Sequence, residues 1–192
     1  DMRVRTLGPD HPSVFNGLVN LALVSDNAGL TGEREALIER AIQVAGAAVP
    51  EGHPALAPLF NNLASWEIDS RRYAQATALA TRAAESFAAV YGDGDLQTAG
   101  ARLNEGVSAL ESGDPARALA ACAAARVAYV AQLDSGHPDV LSASRCHGAA
   151  LAATGRFGEA VALLEGALAE GEAHPEADRR GLALLRIDLA RL

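Results

Sequence analysis

Gly136-His137-Pro138 is one copy of a turn that returns along the chain at a fixed step. His11-Pro12, His53-Pro54 and His137-Pro138 lie 42 and then 84 residues apart, and Gly92-Asp93-Gly94-Asp95 takes the place of the missing copy. A period of 42 residues marks an array of stacked units, each packed on its neighbours, rather than an enzyme domain around one core. In each turn the proline fixes φ at the first helical position and keeps the residue before it out of the α region, so the turn launches a helix.

The first unit, about residues 8–49, is expected to carry a helix over residues 13–28 with Val14, Leu18, Leu21 and Ala22 on one stripe. Gly29 ends that helix, and Thr31 opens a return helix through Leu37, Ile38, Ala41, Ile42 and Ala45. The second unit, 50–91, places Leu56, Leu59, Phe60 and Leu63 on its first helix, bends at Asp69-Ser70-Arg71-Arg72 and returns through Tyr73, Ala76, Ala80, Ala83 and Phe87. The third, 92–133, bends at Ser112-Gly113-Asp114-Pro115, where Asp114 is a natural N-cap and Pro115 a natural first helical residue. The fourth, 134–172, bends at Thr154-Gly155-Arg156-Phe157 and returns through Ala160, Leu163, Leu164, Ala167 and Leu168. His174-Pro175 then launches an end helix over 175–192 through Leu182, Leu185 and Leu189, making nine helices in all. Residues 1–7 read as the last turns of a helix whose start is absent, so the chain is expected to be a fragment of a longer protein.

Alanine dominates and aromatics make up only 4% of the chain, which favours helices packed at close range over sheets. The net charge of -8, with acids and bases interspersed, argues against a phosphate backbone as partner, so no nucleic acid is expected. The most apolar run, 118–131, is broken by Arg126 and is too short to span a membrane. Cys122 and Cys146 make neither a metal-ligand spacing nor a disulfide framework, and read as small buried thiols of a reducing, cytoplasmic setting.

The runs Leu7-Gly8-Pro9-Asp10-His11-Pro12-Ser13-Val14, Phe60-Asn61-Asn62-Leu63-Ala64 and Gly155-Arg156-Phe157-Gly158-Glu159-Ala160 resemble tetratricopeptide (TPR) repeats of the 42-residue kind found in kinesin light chain. In that family small residues allow close helix packing. Ala22, Ala64, Gly106 and Gly148 match the small site of the first helix. Ala76, Ala118 and Ala160 match the early small site of the second, where the first unit has Arg34, and Ala41, Ala83, Ala125 and Ala167 match the later one. The resemblance implies an all-α, right-handed superhelical solenoid of antiparallel helix pairs, whose first helices line a concave groove for an extended peptide or partner helix. It implies no catalysis and no cofactor. Bacterial proteins with such repeats often join them to a protein kinase, a caspase-like protease or a transcription regulator.

Asn20, Asn62 and Asn104 share one repeat position, and side-chain amides there either grip a peptide backbone or tie neighbouring repeats together. Asn16, Asn61 and Arg145 should point near the same face, with Arg145 the natural partner for a carboxylate. Glu105 and His147 stand where Leu21 and Leu63 supply an apolar residue in earlier units, and are expected either to form a partly buried ion pair or, if the local register differs, to face solvent. His11, His53, His137 and His174 are turn residues spread along one edge, too far apart to share a metal. Trp66 and Tyr73 read as core at a helix bend. The resemblance therefore implies a non-catalytic interaction scaffold, expected to be a regulatory part of a larger bacterial protein such as a Ser/Thr kinase. The alternative is a homo-oligomerisation or docking element, a homodimer forming through the end helices.

Overall fold

The computed structural model describes residues 56–192 and, before them, Leu21, Glu33, Ala36, Leu37, Ile38, Arg40, Ala41, Gln43 and Val44. Residues 1–56 and 57–192 form two compact units. In the first, the described residues from Glu33 to Val44 are helical and bury Ile38, Ala41 and Val44, the three-residue step expected of the return helix. Leu21, expected on the buried stripe of the first helix, is helical and exposed, and the remainder of that helix, with the turns at His11-Pro12 and His53-Pro54, lies outside the described residues.

In the second unit the described residues form α1 (Ala57–Asp69), α2 (Tyr73–Tyr91), α3 (Leu96–Glu111), α4 (Pro115–Val130), α5 (Pro138–Ala153), α6 (Phe157–Glu172) and α7 (Arg179–Leu189). Each packs antiparallel on the next, and the first helices α1, α3, α5 and α7 also touch one another in succession, whereas the return helices α2, α4 and α6 make no comparable contact. The first helices thus lie on the shorter, inner path and form the concave face.

Capping explains where the helices start. Asp95 accepts from the Gln97 amide at 2.8 Å, doing in its unit what the His-Pro turn does elsewhere. Asp114 accepts from the Arg117 amide ahead of Pro115. His137 Nδ1 accepts from the Asp139 amide at 3.2 Å ahead of Pro138, so this histidine is a cap. The end helix starts later than the sequence suggested, at Arg179 rather than Pro175. Asp178 satisfies two orphan amides, those of Arg180 and Gly181, both at 3.0 Å, while His174-Pro175 only turns the chain.

All three bends within the helix pairs close alike. The Arg72, Asp114 and Arg156 amides reach back five residues to the Glu67, Ala109 and Leu151 carbonyls at 2.8–2.9 Å, the six-to-one bond of a Schellman stop. The residue before each has positive φ: 85° at Gly113, 80° at Gly155 and 59° at Arg71. A left-handed conformation costs a side-chain-bearing residue about 1–2 kcal/mol. Arg71→Gly gives part of that back to the unfolded chain as entropy, so it is expected to stabilise the protein by about 0.5–1 kcal/mol in urea unfolding.

The core consists largely of alanines at the small sites. Ala76, Ala80, Ala83, Ala118, Ala125 and Ala160 are fully buried. One cluster joins Ala99, Ala125, Ala128, Tyr129, Val140 and Ala143, and another joins Ala109, Ala118 and Ala150. Burial, with Asp139 adding to it, pushes the Tyr129 hydroxyl up to about 12. Leu182 and Leu185 of α7 are buried with Leu141, Leu164 and Ala167, so the end helix continues the stack and its leucines face inward. Trp66 and Tyr73 are half-buried at the first bend, with the Arg72 guanidinium 5.9 Å from the indole centre.

Candidate functional site

A cavity of about 520 Å³ opens on the concave face, lined by α1, α3, α5 and the end of α7. Its apolar strip is Ile68, Leu103, Val107 and Leu110, all half-buried. Repeat spacing generates this strip: Leu110 stands 42 residues after Ile68, and Val107 shares its repeat position with Ser65 and Ala149, which also line the cavity. Asp69 and Glu111, again 42 apart, put carboxylates at one rim.

Among the residues expected here, Asn104 and Arg145 line the cavity. Asn104 Nδ2 donates to Asn61 Oδ1 at 3.0 Å, so the amide contact between adjacent first helices joins Asn104 to Asn61 and leaves Asn62 exposed. Asn16 and Asn20 lie outside the described residues. Arg145 Nε donates to Asp188 Oδ2 at 2.6 Å. The carboxylate that a cation in this place should attract is thus supplied by α7, from 43 residues away in sequence. Asp188 and Arg191 also line the cavity, from an end helix that takes the place of a fifth first helix and so completes the groove wall, which an end-capping role does not foretell.

The expected pairing of Glu105 with His147 is corrected. Glu105, 4% exposed, accepts from Arg102 Nη1 at 3.0 Å, Thr81 Oγ1 at 2.9 Å and Arg117 Nη1 at 3.3 Å. These arginines and Glu105 border a second depression of about 500 Å³ against Ala120, Ala121 and Ala124. His147 Nδ1 is buried without a hydrogen-bond partner. Burial first, then the Arg126 and Arg156 guanidinium groups, holds the imidazole below its usual pKa, opposed by Glu159. The reason is geometric. This repeat position faces the return helices on either side, α2 and α4 for Glu105, α4 and α6 for His147, and not the equivalent position of the next first helix.

The sign of a pH effect follows. With its folded pKa below the unfolded 6.5, His147 costs nothing above that pH, and the unfolded chain takes up the proton first as pH falls. Stability is therefore lost on acidification below about 6.5. His147→Leu, the residue of the earlier units, is expected to remove that component, which urea midpoints compared between pH 5 and 7.5 would reveal.

A second correction concerns the cysteines. Cys122 on α4 and Cys146 on α5 are joined as a disulfide, with Cα atoms 5.5 Å apart. Spacing alone does not reveal it, because the two cysteines, 24 positions apart, are separated by a turn that brings their helices side by side. Among the described residues no group of three or more His, Cys, Asp or Glu side chains is placed to hold a metal, and no helix is long and apolar enough to cross a membrane.

No family model and no curated protein matches the chain. Solved structures do. A chain described as a Podosopora anserina kinesin light chain with nearly identical TPR-like repeats superposes with a TM-score of 0.78 at 20% identity, covering 94% of this chain and 86% of that one. A single-substitution variant of it gives 0.80 at 20% identity, covering 94% and 85%. BtubC (BKLC) from P. vanneervenii gives 0.73 at 24% identity, covering 93% and 73%. The all-α stack of antiparallel helix pairs is thus the TPR-like solenoid seen in kinesin-light-chain repeat structures.

Proposed function

We propose that the chain is one TPR array acting as a non-catalytic protein-protein interaction scaffold, which takes an extended peptide or a helix of a partner domain in the concave groove. The observation that carries this reading is the cavity built by successive first helices, with an apolar strip beside Asn104 and Arg145. Ile68, Val107 and Leu110 would seat an apolar anchor, Asn61, Asn62 and Asn104 would meet the peptide backbone, and Arg145 would take a carboxylate in exchange for Asp188. By analogy with the array type, the scaffold would be a regulatory region of a larger bacterial protein such as a Ser/Thr kinase. The disulfide removes the thiol argument for a cytoplasmic setting.

A displayed peptide library panned on the purified chain tests the reading. Enriched peptides are expected to carry an acid beside an apolar residue, to lose about tenfold in affinity on Arg145→Ala, and to gain on Asp188→Asn. Enrichment of nothing, or of peptides indifferent to Arg145, Asn104 and Val107 substitutions, would overturn it.

Self-association through the end helix is the second reading, favoured by the exposed Ile187 and Leu192. A mass by light scattering that doubles with concentration, and stays single after Ile187→Glu, would support it.

A further inference from the structure

We infer that Cys122 and Cys146 form a reversible dithiol/disulfide latch between α4 and α5, opened by a thiol that reaches Cys146 from the groove. The two residues break the repeat in coordinated places. Cys122 stands where the other units have Ile38, Ala80 and Leu164, and Cys146 where they have Asn20, Asn62 and Asn104. Two departures at unrelated repeat positions meet in space and bond. Beside them is Gly106 of α3, at the small repeat position that holds Ala22 and Ala64 in the first two units and Gly148 in the fourth. An added Cβ there would lie 2.3 Å from Cys122 Sγ and 3.1 Å from Cys146 Sγ, so the glycine makes the seat on which the sulfurs rest.

The bond lies mid-way along the α3, α4 and α5 contact. The cluster with Ala99, Ala125 and Ala143 is on one side and that of Ala109, Ala118 and Ala150 on the other, each about one helical turn away in sequence. Those contacts do not involve sulfur, so the helices stay packed when the bond opens. Its two ends also differ in access: Cys122 is 0% exposed, whereas Cys146 is 6% exposed and lines the groove next to Arg145 in sequence.

The chemistry is exchange with a dithiol. One thiolate of the dithiol attacks Cys146 Sγ, the bond between the two cysteines breaks, and its electron pair goes to Cys122 Sγ, which takes up a proton. The second thiol of the reagent then attacks the mixed disulfide and releases Cys146 as thiolate. The protein pair is reduced by two electrons and the dithiol becomes its cyclic disulfide. Closure of a loop spanning 24 residues restricts the unfolded chain, so the oxidised form is the more stable.

None of this depends on what the groove binds, and the test needs no groove ligand. The native chain is equilibrated in buffers of reduced and oxidised dithiothreitol, quenched in acid, alkylated in denaturant and weighed intact. Species with zero and two alkylations are expected, interconverting in both directions without denaturant. The thermal midpoint should fall by about 5–10 °C on reduction. Cys122→Ser should take one glutathione at Cys146 when offered glutathione disulfide, whereas Cys146→Ser should leave Cys122 unmodified. Circular dichroism checks that both variants are folded. The inference is overturned if oxidising buffer leaves both thiols free, or if the bond is reduced only after unfolding. Modification of Cys122 rather than Cys146 would overturn the route of attack.

Discussion

Replacing Arg102 and Arg117 together by leucine is expected to lower the unfolding free energy by about 3 kcal/mol or more at neutral pH. The decisive fact is an asymmetry of exposure. The Glu105 side chain is 5% exposed, while those of Arg102 and Arg117 are 27% and 46% exposed. Removing the cations strands a buried carboxylate with Thr81 as its remaining donor, and an uncompensated buried charge costs about 3–5 kcal/mol. Removing the acid instead leaves two guanidinium groups that can turn to water. Glu105→Leu, which restores the residue of Leu21 and Leu63, should therefore change stability by less than about 1 kcal/mol. Urea unfolding of the two variants beside the parent measures the difference, and equal losses would show that the cluster does not work in this way.

Gly106→Ala is expected to cost about 2 kcal/mol or more, against the usual gain of about 1 kcal/mol when alanine replaces glycine in a helix. The new methyl would sit 2.3 Å from Cys122 Sγ and 3.1 Å from the Cys122 backbone nitrogen, so α3 and α4 must separate. Overpacking of this kind costs about 1–3 kcal/mol and more where backbone is the obstacle. Gly166 in α6 is the control, with nothing within 4 Å of an added Cβ, and Gly166→Ala should stabilise by about 0.5–1 kcal/mol. Guanidinium unfolding curves should move in opposite directions for the two variants.

The fold was legible where a repeat position carries a physical demand that only a few residue types meet. Gly113 and Gly155 announce left-handed stops, Asp114-Pro115 a helix start, and the alanines in phase a close contact between helices. Legibility failed where a local cue was outbid, as when the double cap at Asp178 displaced the start expected at Pro175. It also failed where partners are set by three-dimensional register. Phase alone gives Glu105 and His147 the same address, but only the packing of return helices on both sides shows that Glu105 meets Arg117 of its own unit. The same holds for Cys122 with Cys146, whose separation follows no repeat step, whereas Arg145 with Asp188 repeats the 43-residue step of Asn61 with Asn104. At the groove, Asn104 and Arg145 were readable from helix phase, whereas the apolar strip of Ile68, Val107 and Leu110 was hidden among residues that serve equally well as core.

Hydrogen exchange of the chain with and without a peptide enriched from the library, read by mass spectrometry along the sequence, tests the binding face most directly. Slowed exchange confined to α1, α3 and α5, together with the end of α7 around Asp188, is the expected result. Protection that falls instead on α2, α4 and α6, with the first helices unchanged, would contradict the concave groove as the site of binding.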